Sequence, residues 1–408
     1  MSAQIPPPAS STQANNALGF STFAFTICFA VWTIFSIIGI QIREELVLSE
    51  TQFGLMIGMP ILTGSLVRIV LGLMTDRLGG RMIYTLTMLG AALATFLLGW
   101  AETYAQVLIA ALGVGVAGGA FAVGVAYVSR FFVPARQGAA LGIFGVGNVG
   151  AALTKFAAPF VMLAVGWEAT AQIWAGVLAL MAILFWAFSS DDPVTLARRG
   201  AKTPLPRLTD EFAPLKNLQV WRFSIYYFFA FGAFVALALW LPTYLIGVYG
   251  FDVKTAGMIG AAYSIPASIF RAYGGMLSDR IGARKVMYRM LAVSAACCAI
   301  LSVPTGVPPV IFLAVIFTLG FFMSLGKAAV YKHIPSYYPQ NVGTVGGLVG
   351  MIGGLGGFFL PLLFGWLRDV TGLWSSCFIV LFVLVVGCLG WMHLSIRKIE
   401  RSAQMQAA

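Results

Sequence analysis

The chain carries Gly72-Leu-Met-Thr-Asp76-Arg77-Leu-Gly79-Gly80-Arg81 in its first half and Gly275-Met-Leu-Ser-Asp279-Arg280-Ile-Gly282-Ala283-Arg284 in its second. Both stretches follow the pattern D-R-x-G-x-R and lie half a chain length apart. A second correspondence joins Pro134, Gly138, Gly142 and Gly145 to Pro339, Gly343, Gly347 and Gly350. Two matches at nearly the same offset, 203 and 205 residues, predict an internal repeat of two similar halves.

Around these stretches the sequence is strongly apolar. Of the 408 residues, 60% are hydrophobic and only 10% are charged, whereas soluble proteins carry about 25% charged residues. This composition excludes a large soluble enzyme and argues against a disordered chain. Twelve apolar stretches reach the roughly 20 residues that a helix needs to cross a bilayer. The sequence therefore predicts an all-α membrane protein with twelve transmembrane helices, six on either side of a polar central stretch.

Polar segments lie at both ends and in the middle of the predicted organisation. The predicted segments are an N-terminal tail (1–17), six helices (18–189), a central loop (190–218), six further helices (219–395) and a C-terminal tail (396–408). Seventeen of the 25 lysines and arginines fall on the side of the three polar segments, against Arg43, Lys254 and Arg368 on the other. Cytoplasmic loops are enriched in such residues, so both termini are predicted to be cytoplasmic, in the inner membrane. The net charge of +11 then reflects the orientation of the protein in the membrane and not nucleic-acid binding.

Five cations remain inside the predicted helices: Arg68, Lys155, Arg271, Lys327 and Lys332. A charge in the bilayer centre costs at least about 2.5–3.5 kcal/mol, so it needs a partner or a water-filled cavity. All the acidic residues fall in predicted loops or at helix ends. A ligand is the remaining source of negative charge, so the sequence predicts an anionic substrate.

Arg68 and Arg271 form the sharpest pair, because each lies eight residues before the aspartate of its repeated motif. At 1.5 Å rise per residue, each is about 12 Å inside the membrane face. An anion between two guanidinium groups would relieve their repulsion and accept paired hydrogen bonds, a geometry that suits a planar oxyanion such as nitrate. The alternative is that each arginine binds backbone carbonyls structurally.

The other buried cations leave more than one interpretation open. Lys332 lies near the cytoplasmic end of its helix, where its side chain can reach the interface. For Lys155 and Lys327 a structural role and a role in proton coupling are equally consistent with the sequence, because a desolvated lysine can lose its proton near neutral pH.

Glycine-rich runs mark the fifth and eleventh predicted helices, at 142–150 and 343–357. Small residues allow close packing between membrane helices, and they also let the backbone approach a small ligand. Both interpretations remain open for Gly145, Gly147 and Gly353. Asn148 is the polar exception, and its amide could donate a hydrogen bond to an oxyanion.

Twelve helices, a central loop and paired D-R-x-G-x-R loops resemble the major facilitator superfamily over the whole chain. The resemblance implies two six-helix bundles that rock around a central cavity. In such loops Asp76 and Asp279 can cap nearby helix ends and pair with arginines of the neighbouring bundle. The predicted gating residues are Asp76, Arg77, Arg81, Asp279, Arg280 and Arg284.

The arginine pair and the two glycine runs together resemble the nitrate/nitrite porter family, the NarK-like proteins. This resemblance implies that Arg68 and Arg271 clamp nitrate and that Asn148 contacts it. It further implies that Tyr227 and Phe231 sandwich the flat anion and that Gly118, Gly119 and Phe121 match a family motif of the fourth helix. Ordinary packing is the alternative role for the aromatic residues.

The leading functional hypothesis is a secondary transporter that imports nitrate by alternating access with proton symport, because the chain resembles the shorter, symporting NarK-like subgroup. The proton would travel through a lysine, through His333 or with the anion. The alternatives are nitrate/nitrite exchange, transport of a small carboxylate such as oxalate or formate, and a non-transporting membrane sensor. The expected partners are nitrate, with nitrite as a second candidate anion, protons as the coupling ion, and membrane lipid, with no nucleic acid. The protein is expected to be a monomer that uses no cofactor or metal and is not an enzyme.

Overall fold

The computed structural model describes residues 10–48, 50–201, 207–304 and 307–407, and this part of the chain contains helices and no β-strand. The α-helices, labelled α1 to α17 in chain order, are Ser11–Trp32, Phe35–Glu45, Glu50–Leu78, Gly80–Leu98, Tyr104–Gly115, Ala120–Ser129, Pro134–Gly145, Gly150–Phe188, Pro193–Gly200, Leu208–Glu211, Leu218–Tyr227, Phe234–Tyr249, Val253–Ile281, Ala283–Leu301, Pro309–Tyr337, Val342–Thr371 and Ser376–Ala407. Three 3-10 segments, Val116–Gly119, Val146–Val149 and Ala213–Lys216, and one π-helical segment, Phe228–Ala233, join neighbouring α-helices.

Twelve membrane-crossing helices result from these elements. Nine segments of the described chain are long and apolar enough to span a bilayer. One of them, Pro134–Phe188, contains two crossings, because Gly166 adopts a positive φ of 84° that interrupts α8. The remaining two crossings are α13 and α14, whose apolar character is reduced by Arg271 and by the basic first turn of α14. The predicted all-α membrane fold is confirmed.

The polar segments contain more helix than their sequence suggests. Residues 1–9, within the predicted N-terminal tail, lie outside the described residues, but α1 already begins at Ser11. The Ser10 hydroxyl accepts a hydrogen bond from the Gln13 amide (3.2 Å), and the Gln13 side chain accepts one from the Ser10 amide (3.1 Å). This capping box starts the helix before the apolar run.

The central loop and the C-terminal tail are also helical over much of their length. In the central loop, Asp192 caps α9 by accepting a hydrogen bond from the Thr195 amide at 2.9 Å, while residues 202–206 lie outside the described part. At the other end, α17 continues through the predicted C-terminal tail to Ala407, and residue 408 is not described.

The two halves of the chain meet along two helix pairs, α3 with α16 and α13 with α7. At the end of the bundles that carries Asp76 and Asp279, here called the motif end, backbone meets backbone. A Cβ atom added at Gly72 would overlap the Gly343 carbonyl oxygen, and one added at Gly275 would overlap the Gly138 carbonyl oxygen. Only glycine permits this approach, so the repeated glycines close the motif end in this conformation.

Candidate functional site

Arg68 lies on α3 and is 1% exposed, although a guanidinium is costly to remove from water. Its Nε donates to the Gly118 carbonyl (3.1 Å) and its Nη1 to the Gly350 carbonyl (2.6 Å). Gly118 belongs to the 3-10 segment after α5, and Gly350 belongs to α16 in the other half. Arg68 therefore has the backbone partners that the structural alternative expects, and it joins the two halves.

Arg271 lies on α13, is also 1% exposed, and has far fewer partners. Its Nη2 donates to the Tyr227 hydroxyl at a long 3.4 Å, while its Nε and Nη1 have no hydrogen-bond partner among the described residues. A Cβ atom at Gly145 would collide with this side chain, so the glycine makes room for the guanidinium. Buried donors without partners are rare and costly in proteins. Arg271 is thus poised to donate at least two hydrogen bonds to a ligand.

Aromatic rings hold the two guanidinium groups close to one another. The Phe121 ring centroid lies 4.7 Å from the Cζ of Arg271 and 5.8 Å from the Cζ of Arg68. Tyr227 stacks nearly parallel to Phe231 at 5.2 Å and to Phe121 at 6.4 Å. These five residues form the arginine–aromatic cluster. Ring faces attract cations, so the three rings stabilise both buried guanidinium groups.

No carboxylate of the described chain forms an ion pair with Arg68, Arg271 or Lys327. Lys327, on α15, is fully buried, and its Nζ has no hydrogen-bond partner in the part of the chain that the structure describes. None of these three buried basic side chains has an ion-paired carboxylate among the described residues, and the two guanidinium groups alone leave an excess of positive charge in the middle of the protein. An anion is the simplest group that neutralises it.

The structure gives several other predicted residues a different place. Asn148 is buried in the 3-10 segment Val146–Val149, and its side chain makes no hydrogen bond with the described residues. Gly147 lies against Phe25, outside the arginine–aromatic cluster. Gly353 lies beneath the Tyr227 ring, where a Cβ atom would collide with it. The glycines Gly145 and Gly353 thus admit side chains of the cluster rather than leaving an open surface.

Lys155 is exposed on α8 and has no polar partner among the described residues. It follows Gly145, which touches Arg271, by ten residues, or about 15 Å of helix. The structure therefore does not bring Lys155 into the arginine–aromatic cluster, whereas Lys327 lies one helical turn from Tyr331, which packs against Phe121 and Tyr227.

Tyr331 and Trp32 are neighbours of the site that the sequence did not single out. Tyr331 meets Phe121 edge-on at 4.8 Å and Tyr227 at 4.7 Å, and its hydroxyl donates to the Gly346 carbonyl at 2.9 Å. The Trp32 ring lies 5.6 Å from the Cζ of Arg68. Tyr331 is four residues after Lys327, a spacing that places both on one helix face and could have indicated its role.

Tyr227→Phe is expected to weaken anion binding by less than about tenfold, because it removes one long hydrogen bond and keeps the stacked ring. Tyr226→Phe is the matched control, since the neighbouring tyrosine lies outside the cluster. Nitrate affinity measured by calorimetry on the purified protein distinguishes the two variants. A loss above a hundredfold would mean that the hydroxyl, rather than Arg271, holds the anion.

The predicted gating aspartates cross between the two halves through hydrogen bonds to backbone amides. Asp76 on α3 accepts hydrogen bonds from the amides of Gly343 (3.0 Å) and Thr344 (2.8 Å) at the start of α16. Asp279 on α13 accepts them from the amides of Gly138 (3.0 Å) and Ala139 (2.6 Å) on α7. A carboxylate near the start of a helix also interacts favourably with the helix dipole. The two aspartates therefore latch the motif end.

The ion-pair partners of these aspartates correct one expectation, that they would be arginines of the neighbouring bundle. Asp76 pairs with Arg130 (2.6 Å), and Asp279 pairs with Lys332 (2.7 Å), in each case within the same half. Lys332 also donates to the Pro134 carbonyl across the interface, so its ammonium is anchored here. The partner half thus contributes backbone amides to each aspartate, and the aspartate's own half contributes the cation.

The contacts described for the arginines of the repeated motif lie within a single half of the chain. Arg81 donates to the Trp186 carbonyl (2.5 Å), and Arg284 pairs weakly with Glu400 at 3.6 Å, both inside their own halves. The Arg77 carbonyl accepts a hydrogen bond from Arg198 of α9, and Arg280 is exposed. None of these contacts joins the two halves.

Arg130 extends the latch to α9, because it also lies 3.5 Å from Asp192. Burial alone would raise the pKa of Asp192, but the Arg130 guanidinium and the hydrogen bonds from Thr195 outweigh it and hold that pKa below its usual value. Arg198 of the same helix donates to the Asp76 carbonyl at 2.7 Å. These contacts hold α9, in the central loop, against the motif end of the first half.

Comparison with known proteins finds relatives that match nearly the whole length of the chain. The family model described as Major Facilitator Superfamily matches residues 20–261 and 248–407. The "Probable nitrate/nitrite antiporter NarK1" of Thermus thermophilus is 41% identical, with 95% of this chain and 93% of the relative covered. The "Nitrite extrusion protein" of Bacillus subtilis (strain 168) is 30% identical, with 92% and 94% covered. The "Probable nitrate transporter NarT" of Staphylococcus haemolyticus (strain JCSC1435) is also 30% identical, with 92% and 95% covered.

Among solved structures, that of the human organic anion transporter MFSD10 (TETRAN) superposes with a TM-score of 0.71. The alignment covers 91% of this chain and 99% of the human one at 16% identity. At that identity the similarity concerns the fold alone.

Proposed function

This chain belongs to the Major Facilitator Superfamily, within its nitrate/nitrite transporters, and from that premise we propose that it carries nitrate across the membrane by alternating access. Nitrate lies between Arg68 and Arg271 and against the rings of Tyr227, Phe231 and Phe121. The observation that carries this proposal is Arg271, a fully buried guanidinium with two unused donors and no ion-paired carboxylate. Relatives named as nitrate or nitrite transporters support the choice of anion.

The structure corresponds to a closed step of the proposed cycle. The arginines are 1% exposed, and the Asp76 and Asp279 latches hold the motif end shut. The distribution of basic residues supports placing this end in the cytoplasm. Release of nitrate into the cell then requires both latches to open, while the opposite end admits the anion.

The proposed direction is import with proton symport. A specific rival is nitrate/nitrite exchange, because the relative from Thermus thermophilus is named a nitrate/nitrite antiporter and the one from Bacillus subtilis a nitrite extrusion protein. Both modes would use the same pair of arginines, because nitrite is also a small anion with oxygen acceptors. They differ in the return step: in symport the carrier returns empty, and in exchange it returns with nitrite bound.

Uptake of labelled nitrate into proteoliposomes tests the proposal. An acidic exterior one pH unit below the lumen is expected to drive roughly tenfold accumulation if one proton accompanies each nitrate. Preloaded nitrite at equal pH provides the comparison for exchange, and excess formate or oxalate provides the comparison for a carboxylate carrier. Uptake that depends on preloaded nitrite and ignores the pH gradient would establish exchange and reject symport. Strong competition by formate or oxalate would reject nitrate as the preferred anion.

A further inference from the structure

Lys327 is a buried cation that the clamp of two arginines does not explain. It lies on α15 with 0% of its surface exposed, and no described residue forms a hydrogen bond with its Nζ. Among the described residues, the ammonium group contacts the ring of Phe234, whose centroid lies 3.3 Å from Nζ. A cation–π contact offsets only part of the cost of burying an ammonium group.

The groups that surround Lys327 come from three neighbouring helices. Phe234 of α12 stacks at 4.9 Å on Tyr263 of α13, and the buried Tyr263 hydroxyl has no hydrogen-bond partner within the described ranges. Met290 of α14 lies against Gly326, next to Lys327. One helical turn after Lys327, Tyr331 packs edge-on against Tyr227 at 4.7 Å, and the Tyr227 hydroxyl accepts the hydrogen bond from Arg271 of α13. The surroundings of Lys327 therefore contain a like charge and a phenol.

The repulsion between Arg271 and Lys327 links the lysine to the anion site. When the site is empty, a second positive charge close to Arg271 has no anion to offset it, so the proposed cycle holds Lys327 there as the neutral amine. When nitrate lies on Arg271, its negative charge cancels that repulsion and favours the ammonium form. Anion binding and proton binding thus strengthen each other, as linkage requires.

The net charge of the cavity gives this linkage a role in transport. The empty cavity holds Arg68, Arg271 and a neutral Lys327, which sum to two positive charges. The loaded cavity holds nitrate and a protonated Lys327, and it has the same sum. We propose that Lys327 takes up one proton with each nitrate and releases both on the other side. The proposal rests on nitrate transport by the arginine pair.

This cycle accounts for the return of the empty carrier. A proton from the outer solution binds the lysine amine as nitrate binds the arginines, and both leave when the motif end opens. Because the two forms carry the same charge, the bundles move no net charge in either direction. The transport is therefore one-to-one and electroneutral, and a membrane potential is expected to leave the uptake rate unchanged.

The test compares two substitutions that fix the charge in opposite ways. Lys327→Gln removes the titratable group, whereas Lys327→Arg keeps a permanent positive charge. Lys216→Gln, at an exposed lysine of the central segment, is the matched control. Each variant is reconstituted and measured for nitrate counterflow at equal pH, and for acidification of the vesicle lumen, reported by a trapped pH dye, on addition of nitrate.

Both Lys327 variants are expected to keep counterflow while losing nitrate-driven acidification, and the control is expected to keep both. Acidification retained by either variant would overturn the proposal. Loss of counterflow in both would also overturn it, because Lys327 would then serve binding. A native protein without nitrate counterflow would instead refute nitrate transport itself. A native uptake rate that changes with a potassium diffusion potential set by valinomycin would exclude the electroneutral cycle.

Discussion

Arg271→Lys is expected to lower the affinity for nitrate by about a hundredfold or more. Lysine keeps the charge but replaces a planar fork of donors with a single ammonium. Losing two charge-assisted hydrogen bonds, at about 1.5–3 kcal/mol each, accounts for an effect of this size. Isothermal titration of nitrate into the purified protein, with thermal unfolding of each variant, measures it.

The matched control for Arg271→Lys is Arg289→Lys, at an exposed arginine of α14, which should bind nitrate as the native protein does. Arg68→Lys should also bind poorly, and it should be less stable as well. The reason is that Arg68 holds the Gly118 and Gly350 carbonyls, and a lysine cannot bridge both. Native affinity in Arg271→Lys would remove the clamp from the mechanism.

Gly275→Ala is expected to reduce nitrate uptake at least about tenfold, because its methyl group would overlap the Gly138 carbonyl oxygen and prevent the motif end from closing. The bundles should then rest open at that end. Cysteines are introduced near Asp279, and their rate of labelling from the proposed cytoplasmic side reports the opening. Nitrate uptake is measured in the same vesicles.

The control for Gly275→Ala is Gly90→Ala on α4, where an added Cβ atom meets nothing within 4 Å. This change should leave uptake intact and raise stability slightly, because alanine favours helix by about 0.5–1 kcal/mol. Equal uptake by Gly275→Ala and Gly90→Ala would show that close contact at the motif end is unnecessary for transport.

Much of the fold follows from elementary patterns in the sequence. The twelve apolar stretches and the repeated D-R-x-G-x-R loops predict the architecture because a bilayer demands helices of a set length. The depth of Arg68 and Arg271 follows from their distance to the repeated aspartates. The ends of α1 and α17 do not, because helix caps and helix docking extend them beyond their apolar residues.

The contacts of the candidate site are less accessible to sequence reasoning. The sequence places Arg68 and Arg271 at one depth, but it does not reveal that Arg68 is bound by backbone carbonyls while Arg271 has unused donors. That difference depends on where the 3-10 segment Val116–Gly119 directs its carbonyl groups. The partners of Asp76 and Asp279 likewise depend on which helix ends face each other across the two halves.

The π-helical segment Phe228–Ala233 makes the length of one helix part of the site. It follows Tyr227 directly and includes Phe231, so the stacked pair of rings depends on its wider turn. Such a segment holds one more residue than a regular helix of the same rise. Deleting a single residue between Tyr227 and Phe231 would return the segment to a regular helix and change how the two rings overlap, while both side chains remain. Chains that differ only by this insertion could therefore have different anion selectivities, and residue-by-residue comparison of their side chains would not reveal the cause.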